Sequence, residues 1–542
     1  MRDSNAAGDM SLWRRRFFSS NPVVRFAIQA AVALSALVAA PALVARQWAD
    51  ERFMMYLPEH LVGSRPWELF KLVVDEIPGY LDTGVFRPLS RLVFYLEHWV
   101  VLRFSTATGI HPNVTMAAVK IAMVFLLVTM AMLTIDQYRQ ATGGKSAAVH
   151  WRRLYGLTAV LIAVSLVLFN PATHPLTLFP TLYLGTAAVA LAIPLWFGWS
   201  WLRYRAGEPM GRMWMRVGSA VIIGALVASS IETAALALPL GFIHLLLLSF
   251  AAGDSFVTTW KDMFHSEAFL LWALVVTGFL VVFIPTRVAI ADYCSQLPCY
   301  RGAELSLGAD AISAFPYRVG ASFFPLTLIS QLGLLELLGD FVLFLLPAVA
   351  AGGLGYLVLG RTAIEYEDDE RGRRPRLPMA LIATYFGAVL LLASGLASVS
   401  GGVQDKGADF SPWRETGFTW IAWAVILAVV LTAVYDLLSD RWALMVSGAL
   451  AVLLALTALV NQGDMAEVNA VQDARLYNQA GLMMVNFDDT PAGNLSRCAV
   501  LDDLRDFAPR ESEVRKMDLI ETYLNSAATN IYGSAFCESG GA

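Results

Sequence analysis

Uncharged apolar runs of about twenty residues recur along nearly the whole chain, and nothing else limits its possible folds so severely. A helix needs a run of that length to cross roughly 30 Å of hydrocarbon. In lipid every backbone N–H and C=O must find an internal partner, and a helix supplies one within a single segment. A membrane barrel would instead show short segments of alternating polar and apolar residues, whereas these runs are continuous. Composition agrees, with 57% hydrophobic and 15% charged residues, where soluble globular chains carry about 25% charged residues.

The sequence therefore predicts an all-α polytopic membrane protein with about eleven transmembrane helices. The expected spans are 23–45, 114–135, 154–170, 179–202, 217–231, 234–252, 267–287, 336–359, 378–399, 417–437 and 443–460. Arg14, Arg15 and Arg16 precede the first run, which is long enough to serve as a start-transfer anchor rather than a cleaved signal. The net charge of −5 comes with no polybasic tail and no nucleic-acid motif, so no nucleic-acid partner is expected.

Orientation is read from Lys and Arg in the short loops. With the N-terminus inside, the cytoplasmic loops hold Arg139, Lys145, Arg152 and Arg153, then Arg203, Arg205, Arg212 and Arg216. Lys261, the run Arg361 to Arg376 and Arg441 complete the set. The decisive segment is Val217 to Phe250, whose one charge is Glu232. A single straight helix over it would measure about 51 Å, too long for the bilayer. Two short spans meeting at 229–233 keep the Arg-rich loop 360–377 inside. Regions 46–113, 288–335, 400–416 and 461–542 then lie outside. All four cysteines, Cys294, Cys299, Cys498 and Cys537, fall in these regions. Disulfides suit an oxidising compartment, and no His stands near them at zinc-ligand spacing. Cys294 with Cys299, and Cys498 with Cys537, are the expected pairs. The first outer loop carries apolar residues at helical spacing over Trp67 to Val74 and Leu89 to Phe104, which predicts amphipathic interfacial helices. The tail 461–542 is expected to form a small, mostly helical outer domain after a membrane domain over 1–460.

Ionisable groups within or beside spans are costly and mark functional sites. Here they gather toward one side. Asp50 and Glu51 follow the first span, and Asp75, Glu76, Asp82, Arg87 and Arg91 follow in the same loop. Lys120, Glu232 and Asp340 sit near the outer ends of later spans. Each has a plainer reading: a wet helix end for Asp50 and Glu51, a turn former for Asp82, snorkelling for Lys120. Arg87 and Arg91, one helical turn apart, suit a phosphate clamp or a lipid headgroup. A proton or ion path would place charges at several depths, so the pattern predicts one polar pocket open to the outer face.

This layout resembles the polytopic GT-C class of glycosyltransferases, which have one span followed by a long outer loop with interfacial helices and acidic catalytic residues. Asp50-Glu51 looks like the acidic motif of that class. Residues 82–89, Asp-Thr-Gly-Val-Phe-Arg-Pro-Leu, look like the Asp-x-Gly-Arg-Phe-x-Pro segment of many bacterial members, with Val85 where Arg is often found. Ser230-Ile231-Glu232-Thr233 looks like a Glu-containing turn between short spans in some members. The resemblance implies transfer of a sugar from a polyprenyl-phosphate carrier to a cell-envelope acceptor at the inner membrane of a bacterium. It implies Asp50, Glu51 or Asp82 as the catalytic carboxylate, and Arg87, Arg91, Lys120, Glu232 and Asp340 as substrate-binding groups. Some members use a divalent metal and others do not; Asp50 and Glu51 are the pair that would take Mg²⁺ or Mn²⁺. A transporter of a lipid-linked substrate and a non-catalytic membrane subunit are the rival readings. The former is disfavoured because no internal repeat is visible.

Overall fold

The computed structural model describes residues 21–45, 54–142, 148–168, 174–207, 213–252, 256–295, 299, 305–331, 341–364, 376–404, 415–435, 437–470, 472–506 and 511–538. Every element of regular structure among them is helical, apart from one isolated bridge between Leu305 and Ser400. The chain opens with α1 (Pro22–Val38), started by Pro22 and by the Asn21 side chain, which accepts from the Val23 amide at 2.9 Å. A short α2 (Ala40–Leu43) follows. The first long connection then folds as α3 (Leu57–Val62), α4 (Glu68–Asp75), α5 (Ile77–Asp82) and α6 (Pro88–Thr108). Helices α4 and α6 fall on the two segments read as amphipathic.

The apolar body consists of α7 (Pro112–Ala141), α8 (Ala148–Val164), α9 (Thr186–Arg205), α10 (Met213–Ala228) and α11 (Ala237–Ala251), then α12 (Phe256–His265) and α13 (Glu267–Cys294). A π turn, Thr181–Gly185, leads into α9, and a 3₁₀ turn, Glu232–Leu236, leads into α11. Helices α14 (Ala309–Gly320) and α15 (Phe324–Gln331) precede α16 (Phe341–Ile364), α17 (Arg376–Ser398), the short α18 (Gly401–Gln404), α19 (Thr416–Tyr435) and α20 (Asp440–Ala470). The tail forms α21 (Gln472–Val485), α22 (Pro491–Asp506) and α23 (Glu511–Tyr532). Seven helical segments are long and apolar enough to cross a membrane: 112–141, 181–205, 232–251, 267–294, 377–398, 416–435 and 441–470. Three shorter apolar helices cover 22–38, 213–228 and 345–359. The run 217–250 is two helices broken at 229–231, not one.

Helix α8 is walled in by protein, since Leu157, Val160, Ile162 and Val164 are fully buried. At Val164 it unwinds into an irregular segment inside the body. Irregular backbone at such depth is tolerated only where protein satisfies its polar groups, and here it does. Trp420 Nε1 donates to the Ile162 carbonyl at 2.6 Å, and Asn461 Nδ2 donates to Leu166 O at 2.9 Å. Asn461 Oδ1 accepts from the Leu168 amide at 2.9 Å. Helices α10 and α13 cross with backbones touching. A Cβ on Gly224 would stand 2.0 Å from Val275 O, and one on Gly278 would stand 2.1 Å from Val221 O.

Bonds between connections join segments that the charge pattern assigns to the same side. At one end, Arg216 pairs with Glu267 and Ser200, Arg205 with Asp262 at 3.6 Å, and Arg153 lies over Tyr435. At the other end, the Leu89 amide donates to Ser229 O at 2.9 Å, and the Ile231 amide donates to Ser90 Oγ at 2.8 Å. The turn before Glu232 therefore lies against the start of α6. At that end too, Asn113 Nδ2 donates to Asn478 Oδ1 at 3.0 Å, and Asn530 Nδ2 to Glu59 O at 2.8 Å. These bonds seat the tail on the first long connection. Cys294–Cys299 and Cys498–Cys537 are bonded, as their positions in the sequence predicted.

Candidate functional site

The site is organised by the first two turns of α6. Pro88 supplies a fixed φ at the first helical position. Arg87 and Arg91, four residues apart, share one face. They line a polar cavity of about 670 Å³ with Asp75, Glu76, Tyr80 and Thr83, the last four contributed by the end of α4, by α5 and by the turn after it. Both guanidiniums are half-buried, and neither makes an ion pair among the described residues. Arg91 lies over the rings of Tyr80 (5.2 Å) and Tyr95 (5.9 Å), which fixes its plane by cation–π attraction. Tyr80 donates to Glu76 Oε2 at 2.8 Å. Burial pushes the Tyr80 hydroxyl well above its ordinary pKa, so it remains a neutral donor. The cavity thus holds two planar cations and two carboxylates.

The opposite side of the same two turns faces a second cavity. Leu89, Ser90 and Val93 join Met123 and Met130 of α7, Ile193 of α9 and Leu226 of α10 around an almost wholly apolar groove of about 580 Å³. From Met123 to Met130 the groove follows α7 for about 10 Å, into the apolar body. The π turn forms part of its wall, where Gly185 allows Met123 Sδ to approach closely. Such turns are frequent at functional sites. The start of α6 is therefore a partition, with a charged cavity on one side and an apolar groove on the other.

The other residues singled out from the sequence are distributed as follows. Asp82 ends α5 with an exposed side chain, next to the lining residue Thr83. Glu232 is half-buried at the 3₁₀ turn, two residues from the groove residues Ser230 and Ala234. Lys120 is buried, and its Nζ donates to the carbonyls of Ala42 (3.3 Å) and Thr177 (3.4 Å). It ties α2 and the turn before the π helix to α7, and it lines neither cavity. Asp50, Glu51 and Asp340 lie outside the described residues. Among the described residues no three His, Cys, Asp or Glu side chains group closely enough to hold a metal.

Tyr80 and Tyr95 were missed as site residues. The signal for Tyr80 was present in its four-residue spacing from Glu76, but Tyr95 reads as one more apolar position of an amphipathic helix. No protein-family model, curated protein or solved structure matches the chain.

Proposed function

We propose that the protein is a membrane glycosyltransferase of GT-C type. It moves a sugar from a polyprenyl-phosphate donor to a glycan, lipid or protein acceptor of the bacterial cell envelope. In this reading eleven helices cross the inner membrane. The N-terminus is cytoplasmic, and the first long connection, both disulfides and the tail are extracytoplasmic. The positive-inside bias of the short loops supports that orientation.

One observation carries the reading. The start of α6 presents two guanidiniums, in no ion pair among the described residues, to a polar cavity and apolar side chains to a groove that runs along α7. A polyprenyl phosphate is a molecule with those two halves. Arg87 and Arg91 would hold the phosphate and stabilise the charge that builds on it as the sugar leaves. The acceptor hydroxyl would attack the anomeric carbon while the bond to phosphate oxygen breaks and the phosphate departs with the electron pair. A carboxylate would take the hydroxyl proton. Asp50 and Asp82 are the candidates suggested by the resemblance, and of the two carboxylates that line the cavity, Asp75 and Glu76, it is Glu76 that Tyr80 holds by a hydrogen bond.

The test is transfer of a labelled sugar from polyprenyl phosphate by the full chain in lipid. Arg87→Ala and Arg91→Ala should each raise the donor KM about tenfold or more, the loss expected for a charge-assisted contact. One of Asp50→Ala, Asp82→Ala and Glu76→Gln should abolish turnover while leaving donor binding intact. Undiminished transfer in all three would refute the catalytic assignment.

A further inference from the structure

Helix α5 contributes no buried residue to any core, yet it and the turn after it form one wall of the polar cavity. Something other than core packing must hold it. Three backbone bonds shape the turn locally. The amides of Thr83 and Val85 donate to Tyr80 O at 3.1 and 2.9 Å, and that of Gly84 donates to Leu81 O at 2.9 Å. Gly84 sits at φ +80, a conformation that suits glycine and strains other residues. Its missing side chain leaves room for the Cys294–Cys299 disulfide. A Cβ there would stand 2.9 Å from Cys299 Cβ, 3.1 Å from Cys299 Sγ and 3.2 Å from Cys294 Sγ. Cys299 Sγ also lies 4.0 Å from the Asp82 carbonyl oxygen. The disulfide caps the end of α13, whose body is anchored by the backbone crossing with α10. Beyond the turn, Leu89 and Ser90 are bonded to Ser229 and Ile231. The segment 82–88 is thus held between two supports, and Arg87 lies within it.

We infer that the Cys294–Cys299 disulfide is a positioning brace for the anion pocket, pressing on Gly84 so that Arg87 is held facing the same cavity as Arg91. Its consequence for ligand binding rests on the reading of that cavity as a phosphate site; its consequence for the backbone does not. The brace belongs to the polar cavity and not to the apolar groove, because Gly84, which the disulfide touches, stands in the chain between Thr83 and Val85, both of which line the former.

The experiment uses the full chain in nanodiscs with two probes, farnesyl monophosphate and farnesol, together with amide exchange. The Cys294→Ser/Cys299→Ser variant should lose about tenfold or more in affinity for farnesyl phosphate, the worth of one charge-assisted contact. Its farnesol binding should stay unchanged. Gly84→Ala, which keeps the disulfide but fills the gap, should behave likewise. Cys498→Ser/Cys537→Ser should leave both affinities as they are. Independently of any ligand, the amides of Gly84 and Val85 should exchange faster in the Cys294→Ser/Cys299→Ser variant than in the tail-disulfide variant. Unchanged exchange at these two amides would overturn the brace. If the unaltered protein binds the two probes equally, the phosphate reading falls, and amide exchange alone decides the brace.

Discussion

Arginines on the first long connection divide into those in an ion pair and those in none among the described residues, and the two kinds should respond differently to removal. Arg103 Nε donates to Glu59 Oε2 at 2.7 Å, its second nitrogen engages Oε1, and Glu59 is fully buried. Arg103→Ala would strand that carboxylate, at a cost of about 3–5 kcal/mol when a buried pair loses one member. Denaturant unfolding in detergent should register the loss. Arg87→Ala removes a group in no ion pair among the described residues, so the same measurement should move by less than about 1 kcal/mol while anion affinity drops; Arg91→Ala also gives up the Tyr80 and Tyr95 rings, worth about 0.5–2 kcal/mol. A comparable loss of stability for Arg87→Ala would mean that this guanidinium is structural. His98 offers a second contrast. It is fully buried, its Nδ1–H donates to Phe94 O at 3.0 Å, and burial lowers its pKa to about 4. The unfolded chain binds the proton near the ordinary value of 6.5, so stability is complete above that pH. It then falls as pH drops through about 4. His98→Leu should flatten the stability profile between those values, and an unaltered slope would remove His98 as its cause.

Elements were legible in the sequence to the degree that they depend on local length and hydropathy. The break in 217–250 followed from helix length and from the side assigned to the Arg-rich loop, and the chain does break at 229–231. The early unwinding of α8 at Val164 was not legible, because its carbonyls are satisfied by Trp420 and Asn461, far along the chain. The two-sided role of α6 was equally hidden. The i, i+4 spacing put Arg87 and Arg91 on one face, but the direction of that face is set by contacts with Ser229 and Ile231. Asp75 and Glu76 were read among the mixed charges of the first long loop, and Tyr80 stood four residues from Glu76, but their convergence with Arg87 and Arg91 on one cavity required the turns between α4, α5 and α6. The crossing of α10 and α13 belongs to this class too, since Gly224 and Gly278 look like ordinary small residues in apolar runs. Gly224→Ala and Gly278→Ala must each push the helices apart, and overpacking of this kind costs about 1–3 kcal/mol or more. A thermal midpoint unchanged by both substitutions would contradict the backbone contact.

At the scale of the molecule, the tail completes the core of the first long connection. Met55, Tyr56, Val101, Leu102 and Met116 are buried in one cluster with Leu476, Tyr477, Leu524, Ala528 and Phe536. Each set, left alone, would expose its apolar face to water. Hydrogen bonds from Asn478 and Asn530 then fix the register between the two parts. The Cys498–Cys537 bond spans 39 residues, and closing a loop of that size lowers unfolded-chain entropy by the equivalent of about 4 kcal/mol. These couplings predict that tail and connection, α6 included, behave as one cooperative unit. A defect in the tail should therefore ease opening of the shared cluster, while the closed form keeps the Gly84 turn and Arg87 in place. Leu524 is fully buried in the shared cluster, and Leu524→Ala should cost about 2–5 kcal/mol. If tail and connection open together, the amides of His60 and Gly63, bonded to Tyr56 O and Glu59 O, should lose protection in parallel with those of α23. Amides deep in α7 and α13, which belong to the separate apolar body, should be unaffected. Loss of protection confined to α23 would show that the tail merely rests on the connection, and the site would then owe its shape to the membrane body and the Gly84 brace alone.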